Sequence, residues 1–297
     1  MQKNKSQADI AQIYSQQEFI EKLLGKNVQP DHPVRRACEY VWKVEDHQSD
    51  MPSSLNVALI LGNLGVDETT LLVTLLSDRR LRTPEFEKII TKEFGKEIKH
   101  LVDSVLWLHD LQLDTAQQSA PQQAERLRRM LLAMVDDVRV VLIKLAYRVQ
   151  RLRELTKAPD DVRQNIARET LDIYAPLANR LGIGQLKWEL EDLSFRYIEP
   201  ETYKRIASLL EERRDEREQY IKDVVNEINA LVDQAGVEAE VYGRPKHIYS
   251  IWKKMSAKQK DFTELFDVRA IRITVSTVAE CYSVLGLIHG RWHHIAK

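Results

Sequence analysis

The amino-acid sequence predicts a mostly α-helical protein whose last part, after about residue 236, changes to an α/β pattern. Three observations carry this. Residues 125–155 contain no Pro or Gly, and Leu127, Leu131, Met134, Val138, Val141, Leu142 and Leu145 recur at three and four positions, as one helix face requires. After Gly236 the period drops to two in Val237-Glu238-Ala239-Glu240-Val241-Tyr242, which reads as a strand. Phe266 to Val275, rich in apolar and β-branched residues, reads as a second strand.

Taken in order, Leu55–Leu61 and Leu71–Leu76 are apolar helical segments, and Gly62-Asn63-Leu64-Gly65-Val66-Asp67 between them reads as a helix–helix turn. Pro176, Gly182 and Gly184 punctuate the helical region after residue 155. Residues 201–235 read as one long helix, charged all round at 211–218. Solvent exposure supported by i,i+4 pairs and a helix bridging two domains both fit that pattern. Gly243-Arg244-Pro245 breaks the first strand, Lys246 to Ala257 reads as a short amphipathic helix, and Val278 to Arg291 reads as another. The expected organisation is an all-α domain over 1–200, a connecting helix over 201–235, and an α/β part over 236–297. That last part has about 60 residues, below a typical domain, and two strands do not make an independently stable sheet. The expectation is a domain that is incomplete at the end of this sequence.

Composition narrows the function classes. The chain has 297 residues, 30% charged and 43% hydrophobic, the balance of a globular protein of roughly two domains. With 44 Lys and Arg against 45 Asp and Glu the formal net charge is -1, without the basic excess of a bulk nucleic-acid binder. Two cysteines, Cys38 and Cys281, exclude a disulfide scaffold and a Cys-based zinc site. The N-terminus lacks an apolar signal-peptide core, and no apolar run approaches the roughly 18 residues of a membrane span. A soluble cytoplasmic protein with no membrane partner is expected.

The segment from Gly243 to Met255 carries the most chemistry. On a helix, Ile248, Ile251, Trp252 and Met255 share one face, while Lys246, Ser250, Lys253 and Lys254 fall on another. Arg244 and Lys246 stand at the strand-to-helix turn, where free backbone N–H groups and the helix dipole favour an anion. A polyphosphate site and an ordinary solvated basic face are both consistent with this. In Leu265-Phe266-Asp267-Val268-Arg269-Ala270-Ile271-Arg272-Ile273, an Asp early in an apolar strand wants a cation. Asp267 and Arg269 share a face at period two and Arg272 takes the other. An Asp267–Arg269 ion pair and a Mg²⁺ site beside bound phosphates remain alternatives.

These two segments resemble the opening of the synthetase domain of the RelA/SpoT stringent-response enzymes. The runs Arg129-Met130-Leu131-Leu132-Ala133-Met134-Val135-Asp136-Asp137 and Tyr174-Ala175-Pro176-Leu177-Ala178-Asn179-Arg180-Leu181-Gly182-Ile183-Gly184-Gln185-Leu186-Lys187-Trp188-Glu189-Leu190 are similar to the same family. The likeness runs from about Leu55 to the C-terminus. It implies an all-α HD-type domain followed by the start of an α/β nucleotidyltransferase-like synthetase domain, and transfer of pyrophosphate from ATP to the 3′-OH of GTP or GDP. It implies that Arg244 contacts ATP, that Lys246, Ser250 and Lys254 hold its phosphates, that Asp267 is the catalytic Mg²⁺ ligand, and that Arg272 supports the nucleotide site. The family's guanine-nucleotide stretch and catalytic Glu have no counterpart in this sequence, so the chain alone is expected to be inactive. Ribosome and uncharged tRNA would be partners only through C-terminal domains absent here.

The resemblance also implies that the helical half derives from a Mn²⁺-dependent hydrolase domain whose ligand set has decayed. Ser53 and Ser77 stand where the family has His, Asp78 is retained, Leu81 and Arg82 replace a Glu-Asp pair, and Tyr147 replaces an Asp. Ser is a weak ligand beside imidazole or carboxylate, so no Mn²⁺ is expected. His109-Asp110 is a literal His-Asp pair, but it lies about thirty residues past the family's position and lacks convergent partners. A degenerate hydrolase domain could serve as a non-catalytic regulator of the synthetase; a working metal-dependent HD phosphohydrolase is the remaining alternative.

Overall fold

The computed structural model describes residues 13–26, 28–44, 52–111, 137–212, 214–259, 262 and 269–292. The chain divides into two compact units, Met1–Ile198 and Glu199–Lys297.

The first unit is helical throughout its described residues. Helix α1 (Gln16–Leu24) opens with a Ser15/Glu18 capping box, and α2 (Pro33–Val44) buries Val34, Ala37, Cys38 and Val41. The predicted helix–turn–helix is α3 (Ser54–Asn63) and α4 (Glu68–Leu76). Gly65 turns the chain at φ +69°, and Asp67 caps α4 by accepting from the Thr70 amide at 2.6 Å. A 3₁₀ turn, Arg79–Leu81, leads to α5 (Pro84–Glu93) and α6 (Gly95–Asp110).

Helix α7 (Val138–Glu154) is the axis of this unit. Val141, Leu145, Val149 and Leu152 are buried along it, and it packs against α3, α4, α6 and the later α10. The rest of the helix predicted over 125–155, with the run 129–136, lies outside the described residues. α8 (Asp160–Glu169) passes through a π-helical turn, Thr170–Tyr174, into α9 (Ala175–Arg180). The widened turn precedes Pro176, whose ring and missing N–H disfavour regular α geometry upstream. α10 (Gly184–Ile198) closes the unit, and one contiguous apolar core runs through it.

The second unit contains α11 (Pro200–Glu212), α12 (Arg214–Gln234), β1 (Ala239–Pro245), α13 (Ile248–Lys258), β2 (Arg269–Val275) and α14 (Val278–Arg291). The strands pair antiparallel from Ala239↔Val275 to Pro245↔Arg269. Residues 201–235, predicted as one helix, are described as two, with residue 213 outside the description. Val224, Ile228 and Val232 recur every four residues on α12. With Val241, Ile271, Ile273 and Val284 they form the core between α12, the sheet and α14. α11 packs against α13. Among the described residues no helix is long and apolar enough to cross a membrane.

Candidate functional site

The polar centre of the helical unit forms where α3 begins and α4 ends. Ser53 caps α3, its hydroxyl accepting from the Leu55 amide at 3.3 Å. Ser77 follows α4 and donates its hydroxyl to the Thr74 carbonyl at 2.9 Å. Both side chains serve the backbone of their own segment, and the Ser53 hydroxyl also accepts from Arg80 Nη2 at 3.4 Å. Asp78, 4% exposed, starts the 3₁₀ turn and accepts from the Arg80 amide at 3.0 Å. The Arg80 guanidinium clasps the same carboxylate in bidentate fashion, Nε to Oδ1 at 2.8 Å and Nη2 to Oδ2 at 2.7 Å. The Ser54 amide adds a third direction, donating to Oδ2 at 3.2 Å. Burial by itself would raise the Asp78 pKa. The hydrogen bonds and charge of Arg80, with the Ser54 amide, outweigh burial and hold it below the usual carboxylate value.

Tyr147 projects from α7 into this centre and is buried. Burial first, and then the negative charge of Asp78, push its phenol pKa far upward, so the group stays protonated. Its ring meets His109 edge-on, with centroids 4.4 Å apart. The imidazole is held well below its ordinary pKa by burial and then by the charges of Lys144 and Arg79. Hydrogen-bond partners among the described residues are lacking for the Tyr147 hydroxyl, the Ser54 hydroxyl and His109 Nε2.

Sequence reasoning placed an inserted cation at Arg82, but the structure gives that role to Arg80. Arg82 instead joins Arg79 on Asp110, at 2.5 and 2.8 Å. The pair His109-Asp110 is thereby split, the imidazole going to the core and the carboxylate to two surface arginines. Among the described residues no three His, Cys, Asp or Glu side chains are grouped to hold a metal ion. The helical centre offers one carboxylate, already satisfied by a guanidinium and two amides, beside two hydroxyls bonded to backbone, one of them also to Arg80, and one protonated phenol. This donor set does not fit Mn²⁺.

The second candidate site lies on the strand-to-helix passage of the other unit. β1 delivers Arg244 opposite Ala270, and Lys246 and His247 lead into α13. His247 stands at the N-cap position with no side-chain cap, and the basic residues follow along the helix. Ser250 and Lys254 are one helical turn apart, and Lys246, Ser250 and Lys254 are each partly buried. Ile251, one residue after Ser250, is fully buried and anchors α13. Burial lowers the pKa of the Lys246 amine, and its contact with the Lys254 side chain offsets part of that. The fold thus brings Lys246 and Lys254 together, eight residues apart in sequence. Arg272 is exposed on β2, across the ladder from Tyr242, which is also exposed. Asp267 lies outside the described residues.

Comparison with known proteins bears on both units. Residues 37–184 match the family model of the HD domain, and residues 243–297 match the model described as a region found in RelA / SpoT proteins. The chain is 48% identical over 239 residues to a GTP pyrophosphokinase of Escherichia coli (strain K12), covering 80% of this chain and 32% of that protein. It is 42% identical over 261 residues to a GTP pyrophosphokinase of Myxococcus xanthus, covering 85% and 34%. It is 40% identical over 241 residues to one of Streptomyces coelicolor, covering 81% and 28%. The chain belongs to the RelA/SpoT family. It spans about a third of the length of these relatives.

Within that family frame, the HD match encloses Ser53, Ser77, Asp78, Arg80 and Tyr147. The RelA/SpoT match encloses Arg244, Lys246, Ser250, Lys254, Asp267 and Arg272. Arg80 is the residue that sequence reasoning missed. Its signal was an Asp followed two positions later by an Arg at a helix-breaking turn, a pattern that helical periodicity does not register.

Proposed function

We propose that this chain supplies the ATP side of a pyrophosphokinase site, which transfers pyrophosphate from ATP to the 3′-OH of GTP or GDP. The observation that carries the reading is that Lys246, Ser250 and Lys254 stand at the entry and along the first turns of α13, inside the segment that matches the region found in RelA / SpoT proteins. Two amines and a hydroxyl beside a helix N-terminus are suited to a polyphosphate, since both ammonium groups and free backbone amides donate to anionic oxygens. In this reading Arg244 contacts ATP from the end of β1, and Lys246, Ser250 and Lys254 hold its phosphates. Arg272 supports the nucleotide from β2. The acceptor hydroxyl attacks the β-phosphorus in line, and the lysines stabilise charge on the transferring group and on the departing AMP. Mg²⁺, when bound, would neutralise phosphate charge there, with Asp267 as its protein ligand.

The helical unit is proposed to have lost hydrolysis and to act as a non-catalytic regulator of the synthetase part. Asp78 supports this, because its carboxylate is engaged by Arg80 rather than left open to a metal. The stringent response and a cytoplasmic setting follow from the ATP and GTP chemistry proposed. Ribosome and uncharged tRNA contacts are assigned to other parts of the family's longer chains, consistent with the net charge of -1 here.

The test is equilibrium binding of Mg·ATP to the chain. Lys246→Ala and Lys254→Ala should each weaken it by roughly 10- to 100-fold, the worth of a hydrogen bond to a charged group. Unchanged affinity in both variants would refute the placement of the phosphates.

A further inference from the structure

Gly243 sits on β1 opposite Ile271, immediately before Arg244 and three residues before Lys246. Helix α12 crosses this point so closely that a Cβ on Gly243 would stand 2.2 Å from Cγ2 of Ile221, with the Ile221 Cβ at 3.6 Å and Cδ1 at 3.8 Å. The colliding atom is a methyl carried directly on the Ile221 Cβ. A β-branched side chain in a helix has one strongly preferred χ1, so that methyl has little room to turn aside. Adding the Cβ must therefore move the helix or the strand.

The helix is not free to drift. Val224, Ile228 and Val232 fix α12 in the same core as Val241, Ile271 and Ile273. On the other side of the passage, α11 packs against α13, which carries Ser250 and Lys254. The Arg244–Lys246 segment is thus set from one side by the seating of α12 on a bare backbone position.

We propose that the Ile221–Gly243 contact is a positioning contact: the depth at which Ile221 seats on β1 sets where the Arg244–Lys246 segment presents its charges to a bound nucleoside triphosphate. The inference rests on the ATP reading above, and it assigns a role to α12 that the strand-to-helix segment alone does not reveal. Neither residue touches the nucleotide; both act through the backbone between them.

The geometry provides its own control. With Ile221→Ala in place, an Ala at 243 would face only the residue 221 Cβ at 3.6 Å, an ordinary van der Waals distance. Gly243→Ala should weaken Mg·ATP binding by roughly tenfold or more, as expected when a binding segment is displaced by about an ångström. Ile221→Ala alone should change it by less than about threefold, and the Gly243→Ala/Ile221→Ala pair should return to within about threefold of wild type, a strong departure from additivity. Hydrogen exchange at the amides of residues 244 and 246–248 is read alongside. It should rise in Gly243→Ala and return in the double variant, a recovery that general loss of stability would not produce. If the wild-type chain binds no ATP, the functional reading fails while the exchange pattern still decides the positioning claim. A double variant that is folded by circular dichroism yet remains as weak and as fast-exchanging as Gly243→Ala would overturn the proposal. So would a Gly243→Ala variant that binds and exchanges like wild type.

Discussion

Replacing Arg80 with Ala removes the cation from a carboxylate that is 3% exposed, while the Arg80 side chain itself is 13% exposed. Asp78 would keep the Ser54 amide at 3.2 Å and the residue 80 amide at 3.0 Å but lose two charge-assisted bonds at 2.8 and 2.7 Å. Breaking a buried pair from one side costs about 3–5 kcal/mol, because the remaining charge is left desolvated. The two surviving amides place the expected loss near the lower end, at about 3 kcal/mol. Arg82→Ala is the internal comparison. It breaks the 2.5 Å pair with Asp110, whose partners are 52% and 45% exposed, and should cost below about 1 kcal/mol.

The pH dependence separates the two further. In the wild type the Asp78 pKa is depressed, so its contribution is present above the unfolded carboxylate value and is lost as pH falls through the lower folded value. In Arg80→Ala, burial dominates and the folded pKa rises. The deficit should then be largest at neutral pH and shrink toward pH 4, where the carboxylate protonates. Urea denaturation followed by circular dichroism across pH 4–7.5 reads both. An Arg80→Ala variant within about 1 kcal/mol of wild type at pH 7, or a deficit that grows on acidification, would refute the claim that Arg80 is the counter-ion of this centre.

Other consequences follow from the same geometry. His109 is held neutral by burial and by the nearby charges of Lys144 and Arg79, so as pH drops below about 6.5 the unfolded chain takes up a proton that the folded one refuses. Stability should fall there, and His109→Phe should flatten that slope in pH-resolved denaturation. Burial, with Arg148 adding to it, lowers the Lys144 amine to about 8, so between pH 8 and 10.5 the stability of the wild type should rise relative to that of Lys144→Met by roughly 3 kcal/mol, whatever the buried phenols and Cys38 contribute to both. Purified chain dialysed against Mn²⁺ should hold no stoichiometric manganese by elemental analysis, and chelation should leave its thermal midpoint unchanged. A bound equivalent of metal removed with loss of stability would show that the helical centre still takes a cation.

The parts of the fold that were legible in the sequence are those where a single period dominates. Leu55–Leu61 and Leu71–Leu76 are apolar on nearly every side because α3 and α4 lie in the middle of the core, and the Gly65 turn between them is marked by its residue type. Val237–Tyr242 announced β1 by alternation, but the strand runs from Ala239 through Gly243-Arg244-Pro245, which were expected to break it, because all three pair with β2 at its Arg269 end. The charged run at 211–218 drew attention away from the apolar face at Val224, Ile228 and Val232, since charges on one stretch of a helix say nothing of the faces farther along. Spacing on one helix could place Ser250 and Lys254 a turn apart, but the contact between Lys246 and Lys254 depends on how the chain enters α13. The Asp78–Arg80 clasp was invisible for a related reason. It exists because a 3₁₀ turn folds position i+2 back over position i, and no helical or strand period encodes that. The tight approach of Ile221 to Gly243 is likewise a tertiary fact, written only as an unexplained Gly next to Arg244.

The phosphate dependence of nucleotide binding bears most directly on the central claim, that α13 holds the phosphates of ATP. Affinities of the chain for ATP, ADP and AMP in the presence of Mg²⁺, measured by titration calorimetry for wild type and Lys254→Ala, should fall stepwise from ATP to AMP in the wild type. The Lys254→Ala loss should be large for ATP and nearly absent for AMP. Equal affinities for the three nucleotides, or a Lys254→Ala effect as large on AMP as on ATP, would contradict it.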